Sequence, residues 1–140
     1  MNEPDKDFFE EIEHTADLAL RCGGPDLETL FRSAARGMYH LMGVESRGVA
    51  AATRHTIRLA AEDVEGLLVD WLGELAYQAE AGGLVFEAMR FETLSATRLG
   101  AELVGRPIRH IDTLIKAVTY HQLKIETIGR GYTATVIFDV

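Results

Sequence analysis

"DLETLFRSAARGMYHLMG", residues 26–43, carries apolar side chains at helical spacing: Leu27, Leu30, Phe31, Ala34, Ala35, Met38, Leu41 and Met42 fall on one stripe. The pattern predicts an amphipathic helix with a buried face. Asp26 stands where an N-cap accepts hydrogen bonds from unpaired backbone amides, and Gly43 where a left-handed residue closes the helix. Met38 and Met42 belong to the stripe as core filler, and His40 lies beside it at the surface. "EDVEGLLVDWLGELAYQAEAGG" (62–83) repeats the logic: Asp63 caps, Val64, Leu67, Leu68, Trp71, Leu72, Leu75 and Ala76 form the stripe, and Gly82-Gly83 stops it. Trp71 is the natural anchor of the core. Asp70 falls well off the stripe, as either a solvated charge or a surface contact.

Around these two helices the texture is β. "FFEEIEHTADLALRCGG" (8–24) reads as one or two short strands ending at a Gly-Gly turn, with Leu18, Leu20 and Cys22 on one face and Asp17, Ala19 and Arg21 on the other. "RGVAAATRHTIRLAA" (47–61) is a strand with Thr53, His55, Ile57 and Leu59 on one face. From residue 84 onward, "LVFEAMRFETLS", "TRLGAELVGRP", "IKAVTYHQLKIETIG" and "YTATVIFDV" alternate or are rich in β-branched residues, and Gly129-Arg130-Gly131 makes a hairpin turn before the last strand. The order implies an α+β fold: two amphipathic helices packed on a mostly antiparallel sheet, in a single domain spanning residues 1–140.

Composition narrows the function. A hydrophobic fraction of 47% and a charged fraction of 26% fit a soluble globular chain. No apolar run approaches the roughly 20 residues that span a bilayer, and the first residues are acidic rather than a basic leader, so a cytoplasmic protein without membrane contact is expected. The only cysteine, Cys22, can form no internal disulfide and no cysteine zinc cage, and reads as a buried structural thiol. A formal charge of −8 argues against direct, stable nucleic-acid binding, which needs lysines and arginines to neutralise phosphates. Residues 1–31 carry nine acids against Lys6 and Arg21, whereas residues 105–124 carry Arg106, Arg109, Lys116 and Lys124 against Asp112 alone. That asymmetry suits docking to a basic protein partner, or marks ordinary solvated faces.

The common catalytic signatures are absent: no phosphate-cradling glycine loop, no dinucleotide fingerprint, no zinc-protease helix and no nucleophile elbow. What stands out is the chain's end, where "VIFDV" (136–140) stays apolar until Asp139 and Val140 then adds its α-carboxylate. Two anions side by side repel, and a hard divalent cation would relieve them. Asp17, at the start of its own strand, is the best candidate for a third carboxylate, although solvation is the competing reading of a C-terminal acid. Lys116, Tyr120 and His121 in "KAVTYHQL" could meet phosphate or a partner's carboxylates, or be the exposed polar groups of a strand edge. His14 gains interest only if the fold sets it near Asp17, as a turn residue or a support for that carboxylate.

In this order, "EHTADLAL" (13–20), "LLVDWLGELAY" with the downstream "GLVF" (67–86), "IKAVTYHQL" (115–123) and "VIFDV" resemble the archease family along nearly the whole chain. The resemblance implies a small α+β protein that is not an enzyme but a cofactor of an RtcB-type RNA ligase. Such ligases join RNA ends bearing a 2′,3′-cyclic phosphate or 3′-phosphate to a 5′-hydroxyl in tRNA splicing and RNA repair. Archeases promote the ligase's guanylylation, sustain multiple turnover and broaden its nucleotide use. The resemblance also implies a divalent ion, with Ca²⁺ expected and Mg²⁺ or Mn²⁺ as alternatives, at Asp17, Asp139 and Val140. Lys116, His121, His14 and Asp70 are the candidate supporting or partner contacts. Two other readings stand beside it: a chaperone or specificity factor for an RNA-modifying enzyme such as a tRNA methyltransferase, and a metal-dependent enzyme acting on phosphate esters. The oligomeric state is left open, since no stretch demands self-association.

Overall fold

The computed structural model describes residues 6–12, 17–48 and 52–140. In chain order the elements are β1 (Phe8–Ile12), β2 (Leu18–Gly24), α1 (Leu27–Met42), β3 (Glu45–Ser46), β4 (Thr53–Ala60), α2 (Val64–Ala81), β5 (Leu84–Leu94), β6 (Arg98–His110), β7 (Ala117–Thr119), β8 (Glu126–Ile128) and β9 (Gly131–Asp139). Both helices fall where the apolar stripes place them. The Asp26 side chain accepts from the Thr29 amide while Thr29 answers the Asp26 amide, and Gly43 closes α1 at φ 62°. Asp63 accepts from the Gly66 amide to start α2, which ends at Gly82.

The strands form two antiparallel sheets rather than one. In the first, the order is β1-β2-β9-β7, with β8 also on β9. Because β2 pairs with β9 over Leu18–Gly24, β7 and β8 share the other side of β9, which makes the last strand central. In the second, β6 lies between β5 and the pair β3 and β4. "IKAVTYHQLKIETIG" is divided into β7 and β8 by a turn in which Gln122 adopts φ 55°. The turn before β9 is a two-residue hairpin, Ile128 pairing Gly131, with Gly129 at φ 59° in the first position, where a left-handed residue matches the strand twist.

The core lies between helices and sheets. Leu20 and Cys22 of β2, Val136 and Phe138 of β9, Phe31 and Met38 of α1, Trp71 and Leu75 of α2, and Leu99 and Leu103 of β6 join one buried cluster. Each large apolar side chain there contributes roughly 1.5–3 kcal/mol relative to leaving it in water. Trp71 is fully buried, and its indole N–H donates to the Phe31 carbonyl at 3.0 Å, tying α2 to α1. Gly37 lets α1 lie close on β2, since a Cβ there would stand 2.7 Å from the Leu20 methyls. The faces expected of β2 are found, with one addition: Ala19, on the side away from Leu20 and Cys22, is 1% exposed.

Candidate functional site

The register of β2 on β9 runs from Gly24↔Tyr132 to Leu18↔Phe138. Asp17 directly precedes Leu18 and Asp139 directly follows Phe138, so the pair Leu18↔Phe138 brings residues from near the two ends of the sequence to the same end of the sheet, Asp139 on the side of β9 that carries Ile137 rather than the core side of Phe138. On the other side of β9, Ala117 pairs Asp139, and the Lys116 amide donates to the Asp139 carbonyl at 2.8 Å. Lys116 is thereby held beside Val140. Asp139, Val140 and Lys116 are exposed and Asp17 is half-buried.

The remaining residues read from the sequence lie elsewhere or outside the description. His14 lies outside the described residues. His121 sits in the turn beyond the far end of β7, where its amide donates to Thr119 Oγ1 at 3.3 Å and its ring is exposed. Asp70 is an exposed charge on α2, and no hydrogen bond or ion pair joins it to the carboxylates among the described residues. Tyr120 is 61% exposed, near the N-terminal turn of α2 around Gly66.

The donor set at the sheet end is all oxygen, two aspartates with the α-carboxylate of Val140, which is the chemistry that calcium, magnesium and manganese share. No cluster of three or more His, Cys, Asp or Glu side chains suited to a metal occurs among the described residues. Carboxylate oxygens of this kind are ligands that a hard divalent ion accepts.

Periodicity gave no sign of two features near this end. Glu65 at the start of α2 accepts from the Ile125 amide at 3.0 Å, pinning the segment between β7 and β8 across 60 positions of sequence. On the face that carries the aspartates, four residues along β2, a polar hollow of about 210 Å³ opens between Arg21, Lys124, Glu126, Thr133 and Thr135. Arg21 is already engaged there, with Glu10 at 2.9 Å and over the Phe8 ring. Cys22 is the structural thiol expected: it is fully buried, it faces the Ala134 carbonyl, and burial pushes its pKa up to about 12.

The sequence pattern of the Archease protein family matches residues 9–140. The protein archease of Methanosarcina mazei is 34% identical over 140 residues, covering 94% of this chain and 95% of that protein. That of Saccharolobus islandicus is 35% identical over 138 residues, covering 94% and 98%. Among solved structures, a Thermotoga maritima crystal structure described as an archease and possible chaperone superposes with TM-score 0.70 at 26% identity, covering all of this chain and 98% of that one. A solution structure of a Methanobacterium thermoautotrophicum protein superposes with TM-score 0.65 at 26% identity, covering 94% and 98%.

Proposed function

This chain belongs to the archease family, and from that premise we propose that it is a non-enzymatic cofactor of an RtcB-type RNA ligase, promoting the ligase's guanylylation and its multiple turnover in tRNA splicing and RNA repair, and broadening its nucleotide use. The observation that carries the reading is the convergence of Asp17, Asp139, Val140 and Lys116 at one open end of the first sheet. The pairing of β2 with β9 adds Asp17 to the acidic end of β9. Asp17, Asp139 and the Val140 carboxylate hold a divalent cation, Ca²⁺ by preference and Mg²⁺ or Mn²⁺ as alternatives. When bound, that ion neutralises the carboxylates and offers a Lewis-acidic contact to a phosphate oxygen. Lys116 keeps a positive charge at the rim for the nucleotide phosphates or a ligase carboxylate. His14, His121 and Asp70 are proposed as partner contacts.

Such a role suits the chemistry of nucleotidyl transfer, in which positioning and charge neutralisation supply most of the catalysis. The one thiol, Cys22, is buried and held protonated, so it offers no thiolate nucleophile. The test is ligation under limiting cognate ligase with GTP. Added protein is expected to convert a single round of joining into many, and an unchanged single-turnover burst would overturn the reading. A second reading, a chaperone or specificity factor for an RNA-modifying enzyme, draws on the description of the Thermotoga relative as a possible chaperone. Co-purification with a tRNA methyltransferase in place of a ligase would favour it.

A further inference from the structure

The second sheet has two edges, and they are built differently. β5 meets β6 with register breaks at Phe86/Ala88 and Phe91/Thr93, irregularities that turn an edge away from further pairing. β4 meets the other side of β6 through eight consecutive pairs, Thr53↔Gly105 to Ala60↔Arg98, without a break. It contains no proline, and among the described residues β6 is the only strand paired with it. Its outer edge is a straight row of backbone donors and acceptors, the template that strand addition uses.

The charged side chains of β4 itself carry one sign, and Glu102 of β6, on the same face across from Thr56, is engaged by Arg90. Ile57 of β4 is buried while Arg54, Thr56 and Arg58 are exposed, so both arginines stand on the face turned away from the core. Their cross-strand neighbours are Val104 and Gly100, and neither guanidinium has a hydrogen bond or ion pair among the described residues. Arg90 and Arg106 of the same sheet differ, being engaged by Glu92 and Glu102 and by Glu87. A hollow of about 340 Å³ opens beside Arg54 over Ala88 and Val104. In a chain of net charge −8, two uncommitted arginines on a regular free edge run against the overall trend.

The spacing selects an occupant. Four residues of strand separate the arginines by about 13 Å, the distance between side chains i and i+4 of any strand added alongside. RNA fits less well, because the exposed aromatics on which bases would stack, Tyr77 and Tyr120, lie on α2 and beyond β7. We infer that the outer edge of β4 takes up an extended acidic segment of a partner protein by strand addition, with carboxylates four residues apart pairing with Arg54 and Arg58.

The test uses a labelled synthetic peptide of threonine and valine carrying two glutamates four residues apart, read by fluorescence anisotropy and backbone amide exchange. The peptide should bind and slow exchange within Thr53–Ala60. An Arg54→Glu/Arg58→Glu variant, both sites being exposed, should bind it about tenfold more weakly or worse and gain binding to the same peptide with lysines replacing the glutamates. If the reversal misfolds, Arg54→Gln/Arg58→Gln serves, and it should remove the salt dependence of binding. The inference is overturned by absence of binding at millimolar peptide, by protection confined to residues outside β4, by tighter binding of a single-stranded RNA oligonucleotide, or by protection of the same amides through self-association of the protein alone.

Discussion

Asp139→Asn removes one of two carboxylates that the β2–β9 pairing brings to one end of the sheet, and its expected consequences for the metal-free and ion-bound protein have opposite signs. Like charges directly across a strand pair destabilise by roughly 0.2–1 kcal/mol, so without divalent ions the variant should be more stable by about 0.5 kcal/mol. For a chain of 140 residues, a stabilisation of 1 kcal/mol raises Tm by about 3 °C, which makes the expected gain about 1–2 °C. The gain should shrink in high salt, where exposed charges are screened. Calcium reverses the order. An ion that binds only the native state at a hundredfold excess over its Kd adds about 2.7 kcal/mol, or about 8 °C, to the wild type. The variant should show little of that rise, so its melting curve crosses from above wild type in chelator to below it in calcium. Differential scanning calorimetry in EDTA and in stepped CaCl₂ measures both limbs. A full calcium-induced rise in Asp139→Asn would place the ion elsewhere, and a metal-free variant that melts below wild type would refute the repulsion between the two aspartates.

Other perturbations test the scaffold that positions this end. Trp71→Phe loses the indole bond to the Phe31 carbonyl and leaves a void at a fully buried site; it should cost about 2–4 kcal/mol, seen as a lower urea midpoint by far-UV circular dichroism with an unchanged slope. Gly43→Ala meets both a left-handed backbone and a Cβ position 2.3 Å from Asp112 Oδ2; a loss of about 1–2 kcal/mol is expected in the same assay. Cys22 should resist a disulfide thiol reagent at pH 8 in the native protein and react fully in denaturant. Its folded pKa of about 12 lies above that of an unfolded thiol. Below the unfolded value both states keep the proton; from there up to about pH 12 only the unfolded chain releases it, so Cys22 contributes a falling stability as pH rises through that window. A Cys22→Ala variant should lose that alkaline slope.

The helices were legible because their signals are local: Asp26 and Gly43, and Asp63 and Gly82, sit within a turn of the residues whose backbone groups they satisfy. Strand partners were not, because pairing joins residues such as Leu18 and Phe138 across most of the chain, and alternation gives a face without naming a neighbour. The division into two sheets, the two-residue β3 and the turn at Gln122 all arise from such long-range pairing. Ala19 shows the limit of face reading, since a small side chain can be buried on the side that carries Arg21. At the candidate site, charge chemistry pointed to Asp17 with Asp139, and the pairing of Leu18 with Phe138 brings both to one end of the β2–β9 pair. His121 and Asp70 were read from motif membership, which says nothing about distance, and the structure leaves each on its own turn or helix surface. The arginines of β4 were visible as alternation in "TRHTIRLA", but their lack of carboxylate partners depends on what β6 places opposite them.

Formation of the covalent ligase–GMP adduct decides whether the acidic end of the first sheet is the working end. With cognate ligase, GTP and divalent metal, wild-type protein should accelerate adduct formation, and a folded Asp139→Ala variant should leave the rate at that of the ligase alone. Equal stimulation by the variant would contradict the assignment of Asp17, Asp139 and Val140 to the activating site.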